Sequence, residues 1–256
     1  MKIQVSAEEF KIFISAISAV YRGGASLKIY KDFIESVVVS EDSASIIACA
    51  RINIINSDDI NLAVNEEYVI NIPDMSKFTK LLSMCDKDIF EFEIKKNYVY
   101  FKSDKVHGAK FILDDIPVQK VDKRYTFKWF NAFNPKYTTV LNKKVLKELL
   151  HISSFANASE KIYFYQQDGK LLAECNDRTL DNIDNISIVL SENGTGIIEN
   201  NVIIAVDTLS NVIAAGNDFN FNVVKIGNSK ISYEALLIST EMDGVSVKYF
   251  INSKKQ

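Results

Sequence analysis

Only nine glycines and three prolines occur in 256 residues, against a hydrophobic fraction of 47% and a charged fraction of 25%. So few chain breakers beside so much apolar content exclude a disordered chain and fit one or two well-packed domains. Cys49, Cys85 and Cys175 are odd in number, far apart and set in apolar or helical contexts, which excludes a disulfide framework and a zinc cluster and leaves buried thiols. No apolar run approaches the length that spans a bilayer, and Met1-Lys2-Ile3-Gln4 enters alternation with no cleavable signal pattern, so an intracellular protein without a membrane partner is expected. Imidazoles are limited to His107 and His151. No glycine-rich phosphate loop follows a strand, and no cysteine or carboxylate constellation has metal or triad spacing, so neither an enzyme nor a bound cofactor is expected. Asp177, Asp181 and Asp184 lack the glycine and terminal glutamate of a calcium loop and read as a solvated turn. The net charge is -3, which argues against simple coating of nucleic acid but is compatible with a segregated positive face.

What the chain does have is repetition. Residues 67–113 read as one unit: a strand Tyr68–Ile72, a stop and cap at Pro73-Asp74, and a helix with Met75, Phe78, Leu81, Leu82 and Cys85 at helical spacing. Lys77 and Lys80 fall one turn apart on its opposite side, and strands over Ile89–Ile94, 98–102 and 109–113 follow. The first copy has a strand at 3–5, the capping pair Ser6 and Glu9, and an apolar stripe of Phe10, Phe13, Ile14, Ile17, Val20 and Tyr21. Lys11, Ser15, Ser18 and Arg22 lie on the other side before Gly23-Gly24, and strands are predicted at 27–30, Phe33–Val39 and 45–54.

The third copy runs from a strand at 137–141 through the cap Asn142 to a helix whose apolar residues Val145, Leu146, Leu149, Leu150 and Phe155 oppose Lys143, Lys144, Lys147 and His151. Its strands are predicted at 161–166, 171–175 and 183–190. The fourth has a strand at 202–206, the cap Asp207, a short helix with Leu209, Val212 and Ile213, and strands at 219–226, 230–239 and 245–251. The caps Ser6, Asp74, Asn142 and Asp207 stand 68, 68 and 65 residues apart, a regularity that marks an internal repeat.

Residues 117–136 interrupt the pattern with Pro117, Pro135, the charged run 120–124 and the aromatics Tyr125, Phe127, Trp129, Phe130 and Phe133. So apolar a connector packs onto something. The expectation is an α+β chain of two similar domains, 1–116 and 137–256, each built from two strand-helix-three-strand units with helices on one face of antiparallel sheets. Three of its four helices place Lys or Arg away from the sheet, a pattern able to meet phosphates, whereas the fourth exposes only Ser210 and Asn211. His151, at the end of a lysine-bearing helix, reads as solvated or phosphate-facing.

These residues resemble the ring-shaped sliding clamps that act as DNA polymerase processivity factors, in the forms of the proliferating cell nuclear antigen and of the clamps of tailed phages. Met75-Ser76-Lys77-Phe78-Thr79-Lys80 resembles the family's Met-Ser-Lys-x-x-Lys on an inner helix, and Ser40-Glu41-Asp42-Ser43 its acidic-serine front loop. Val247-Lys248-Tyr249-Phe250-Ile251 resembles its C-terminal strand. The uncharged fourth helix, the aromatic-rich connector and the basic Lys254-Lys255 depart from the pattern.

The resemblance implies a homotrimeric ring closed head to tail, with helices lining a hole that holds double-stranded DNA independently of sequence, and a replicative DNA polymerase and clamp loader as partners. Lys11, Arg22, Lys77, Lys80, Lys143, Lys144 and Lys147 would face the duplex. Val106, Lys110 and Ile112 of one subunit would meet Ile186, Ile188 and Leu190 of the next. A partner-peptide pocket would be walled by Val39, Ile46, Ile116, Val118, Val121, Phe250, Ile251 and Asn252. The protein would work at replicating DNA, and its richness in Ile, Asn and Lys suggests an AT-rich, viral genome, which for a phage means the cytoplasm of a prokaryotic host. The competing class is a β-rich structural or virion component that encircles no DNA.

Overall fold

The computed structural model describes residues 1–41, 45–58, 66–84, 88–101, 108–155, 161–175, 186–213, 216–227, 232–242 and 244–253. Cys85, Val106, His107, the three aspartates at 177, 181 and 184, Asp42 and Ser43 of the front loop, and Lys254-Lys255 lie outside them, as does the side chain of Phe155. Internal contacts divide the chain into one unit of Met1–Glu41, Ala48–Phe127 and Met242–Val247, and another of Asp42–Ile47, Lys128–Glu241 and Lys248–Gln256.

In the first unit, strand β1 (Lys2–Ser6) leads into helix α1 (Ala7–Val20), and Ser6 caps it by accepting from the amide of Glu9 at 3.4 Å. The strands β2 (Ala25–Ile29), β3 (Phe33–Val39), β4 (Ile46–Asn53), β5 (Asn56–Asp58) and β6 (Tyr68–Ile72) follow. Helix α2 (Met75–Ser83) is capped by Asp74, whose Oδ1 accepts from the amide of Lys77 at 2.9 Å, and β7 (Ile89–Ile94), β8 (Tyr98–Phe101) and β9 (Ala109–Ile112) complete the repeat. One sheet runs β5-β1-β7-β8-β9, and β4, β3, β2 and β6 are neighbours in that order in another. The pairings of β1 with β5 and β7, of β2 with β3 and β6, and of β8 with β7 and β9 are antiparallel.

Phe10 is the centre of this unit's core. Its ring is 4.9 Å from Phe92, 5.7 Å from Phe13, 6.1 Å from Phe90 and 6.3 Å from Phe78, so the apolar stripes of α1 and α2 meet over the strand β7. The helix α1 stops at Val20 with Tyr21 already extended, before the two glycines expected to end it. Gly24 is needed for a different reason: a Cβ there would stand 2.5 Å from the carbonyl oxygen of Ile72, so the backbone approaches β6 too closely for any side chain.

In the second unit a short helix α3 (Phe127–Asn131), within the expected connector, precedes β10 (Pro135–Asn142) and α4 (Lys143–Phe155). Asn142 accepts from the amide of Val145 at 3.0 Å, as its cap position requires. Then come β11 (Lys161–Gln167), β12 (Lys170–Cys175), β13 (Ile186–Ser191), β14 (Thr195–Gly196) and β15 (Val202–Ala205). Helix α5 (Val206–Ile213), β16 (Asp218–Gly227), β17 (Ser232–Met242) and β18 (Val245–Asn252) end the fold. Strands β13-β12-β11-β15 form one sheet and β14, β10, β16, β17 and β18 are consecutive neighbours in another.

Asp207 is not the cap of α5. The helix begins at Val206, which puts Asp207 in its first turn, where its charge still complements the helix dipole. The helices α4 and α5 pack on each other as α1 and α2 do, and bury Leu146, Leu149, Leu209, Val212 and Ile213. Cys49 and Cys175 are buried, and burial raises the Cys175 thiol to a pKa of about 11, which makes it a poor nucleophile. No helix among the described residues is long and apolar enough to cross a membrane.

Candidate nucleic-acid interface

The periodicity of α2 separates Met75, Phe78 and Leu82, which are buried, from Ser76, Lys77, Lys80 and Ser83, which are exposed. Asp74 accepts the Lys77 amide and sits 3.6 Å from the Lys77 ammonium, and that backbone hydrogen bond is the main cause holding its carboxyl below the usual range. The cap therefore stays ionised at neutral pH, yet the Lys77 side chain remains 78% exposed, so its charge projects into solvent. On α4, Leu146 and Leu149 are buried while Lys144, Lys147 and His151 are exposed together with Glu148. Glu148 is an acidic interruption of that cationic face, readable from the helical spacing. Lys143 is half-buried.

The first helix contributes less than its sequence implies. Lys11 is half-buried, with Nζ 5.8 Å from the centre of the Phe90 ring, so the ammonium is drawn down against an aromatic face. Arg22 is exposed but lies beyond the helix end. Glu8 is exposed on the same helix, and α5 exposes Asp207 and Ser210. Of the helices α1, α2, α4 and α5, it is thus α2 and α4 that carry exposed lysines.

The residues assigned to subunit contacts lie on strands at sheet ends. β9 ends the five-stranded sheet with Lys110 and Ile112 exposed, Ile112 by 56%, and β13 ends the four-stranded one. Ile186 and Ile188 are half-buried there, but Leu190 faces the core. Val189, 48% exposed, is the apolar residue that β13 turns outward.

The eight residues assigned to a peptide pocket divide between the units and differ in accessibility. In the first unit Ile116 and Val118 are exposed, while Val39 and Val121 are half-buried. The side-chain amide of Gln119 both donates to the Val39 carbonyl and accepts from its amide, fixing the connector to β3. In the second unit Ile46, Phe250 and Ile251 are 3%, 4% and 1% exposed, and only Asn252 is half-buried. Phe250 is covered by Trp129 at 5.2 Å and Phe133 at 5.4 Å between ring centres, and Lys248 donates to Asn131. The connector's aromatics therefore occupy the apolar surface that the pocket assignment leaves open, and Phe250 and Ile251 as they stand are core residues.

No family model and no curated protein matches the sequence. Solved structures do match over nearly the full chain. The PCNA2–PCNA3 complex from Sulfolobus tokodaii superposes with a TM-score of 0.72 at 12% identity, covering 99% of each chain. PCNA of A. fulgidus with the C-terminal region of FEN-1 bound gives 0.72 at 15% identity, covering 100% of this chain and 98% of that one. PCNA from Thermococcus kodakaraensis gives 0.71 at 16% identity and 99% of each. With its repeated strand-helix-strand units and helix pairs on antiparallel sheets, the chain has the PCNA-like sliding-clamp fold.

Proposed function

We propose that this protein is a sliding clamp, which encircles duplex DNA and tethers the replicative DNA polymerase, and that it performs no chemical step. The observation that carries the reading is the exposed lysine pairs Lys77 and Lys80 on α2 and Lys144 and Lys147 on α4, each opposite a buried apolar stripe. Cations on such helix faces attract phosphates through water without reading bases, so the attraction has no deep minimum at any one base step. A clamp of this kind guides rather than grips.

Closure into a homotrimer by pairing of β9 with β13 of the next subunit is supported by the terminal position of both strands in their sheets. Three copies of 28.9 kDa would give a particle of about 87 kDa in solution. Replacing Lys110 by Pro, in the middle of β9, removes an edge amide and should shift that mass toward the single chain. An unchanged mass would place the contact elsewhere. A clamp loader would open and reseal the ring at replicating DNA inside the cell.

The decisive test is topological. Loaded on a nicked circle with its cognate loader, or assembled on it by mass action, the protein should remain through a high-salt wash and be lost when the circle is cut. Equal retention on circular and linear DNA would favour a surface-binding or structural protein instead.

A further inference from the structure

The carboxylates of Asp74, Glu8 and Asp207 each serve their own helix. Asp74 caps α2 by accepting from the Lys77 amide, and Glu8 and Asp207 lie in the first turns of α1 and α5, where a negative charge complements the helix dipole. Glu148 does neither. It lies beyond the first turn of α4, whose cap is Asn142, and it is exposed to solvent. No ion pair among the described residues reaches it, or Lys144, or Lys147. Lys144 precedes it by four residues, the less favourable order for a helix-stabilising pair, so local stability accounts for little of its presence.

On a helix of about 3.6 residues per turn, Lys144 points away from the buried Leu146 and Leu149, with Glu148 about 40° to one side and Lys147 about 60° to the other. The outward face of α4 therefore turns from positive to negative across Lys144. Residues four apart on a helix have stems about 5–6 Å apart, so a phosphate drawn to Lys144 comes within the screening length, about 8 Å, of the Glu148 carboxylate. At that separation in water, the repulsion of two like charges weakens binding about threefold. A phosphate held about threefold more weakly, at an unchanged rate of arrival, leaves about threefold sooner.

We propose that Glu148 is a repulsive residue on the surface that meets DNA, which limits the stay of each phosphate at Lys144 and so keeps the clamp moving along the duplex. Its charge lowers affinity and raises mobility together. The inference rests on the clamp reading, because it needs α4 to face the phosphates, and a separate lysine variant tests that requirement.

Affinity of the full-length protein for a short fluorescent duplex is read by anisotropy at about 50 and about 200 mM salt, and diffusion is followed on single stretched duplexes blocked at both ends. Glu148→Gln keeps a good helix former in place, so it should unfold at the wild-type urea midpoint. It should bind about two- to fourfold more tightly at the lower salt, with a smaller gain at the higher, and diffuse correspondingly more slowly. Glu148→Asp, which keeps the charge, should bind as wild type. Glu91→Gln is the control for a mere change of net charge. Phe90 and Phe92 on either side of it meet Phe10 of α1, so Glu91 points away from the helices and its loss should change nothing. Lys144→Gln with Lys147→Gln should weaken binding. If it does and Glu148→Gln fails to strengthen binding, the clamp reading stands and the role of Glu148 is overturned. If the lysine variant binds as wild type, α4 does not meet DNA, and the inference falls together with the reading it rests on. An equal gain from Glu91→Gln, or tighter binding at unchanged diffusion, also overturns the proposal.

Discussion

Reversing Lys77 and Lys80 to Glu together should lower retention on duplex DNA by roughly ten- to thirtyfold at 0.15 M salt and abolish polymerase stimulation, while the mass in solution stays unchanged. The magnitude follows from counterion release. Each phosphate contact contributes a factor of about [salt] to the power -0.9, or about fivefold at this concentration, and the range corresponds to two contacts held at a time out of the six lysines that a homotrimer offers. Both side chains are exposed, and the buried side of α2 is carried by Met75, Phe78 and Leu82, so the double change leaves the helix packed. Lys11→Glu is the internal comparison. Its ammonium already lies 5.8 Å from the Phe90 ring and is half-buried, so its loss should weaken DNA retention less than the loss of either α2 lysine. Equal effects of all three would return Lys11 to the DNA-facing surface, and undiminished stimulation by the double variant would remove α2 from it.

Most of the fold was legible because its signals are local. Ser6, Asp74 and Asn142 cap their helices through a side chain and an amide three residues on, a geometry that needs nothing from the rest of the chain. The repeat then ordered the strands, since antiparallel neighbours follow from short connections. What escaped depends on partners far away in sequence. The strands β5 and β14 span three and two residues, and nothing but pairing with β1 and β10 distinguishes them from loop. Helix α3 has no apolar period to read, because Phe127, Trp129, Phe130 and Phe133 are aromatic on several sides.

The site was legible only to the extent that exposure follows periodicity. On α2 one face is apolar and the other cationic, and the structure keeps that division. On β18 the rule fails: Tyr249, Phe250 and Ile251 are buried in succession, which alternation cannot foresee. Replacing Ile251 by Asp would therefore report on core stability, and exposed Ile116 and Val118 are the better probes of partner binding along the connector. The acidic counterweight Glu148 was in plain view, but a reading of lysine positions alone passed over it.

Arg51→Ala should cost about 2–3 kcal/mol of stability and loosen the connector where it meets the first unit. The Arg51 guanidinium lies between two rings, 4.0 Å from the centre of Phe33 and 4.3 Å from that of Phe127, the first residue of α3. It also donates to Glu35 at 2.7 Å, and Glu35 is only 4% exposed. Truncation strands that carboxylate away from water, a loss of about 3–5 kcal/mol for a fully buried pair, and the estimate is reduced because a third of the Arg51 side chain reaches solvent. Arg51→Lys keeps the charge but loses the planar stacking, so it should fall between wild type and Arg51→Ala. Pairing Arg51→Met with Glu35→Gln removes both charges together and should recover most of the loss, which separates the stranded carboxylate from the missing stack. Midpoints of urea unfolding measure all three variants against the wild type. If Arg51→Ala unfolded at the wild-type midpoint, neither the ion pair nor the ring stack would be holding Phe127.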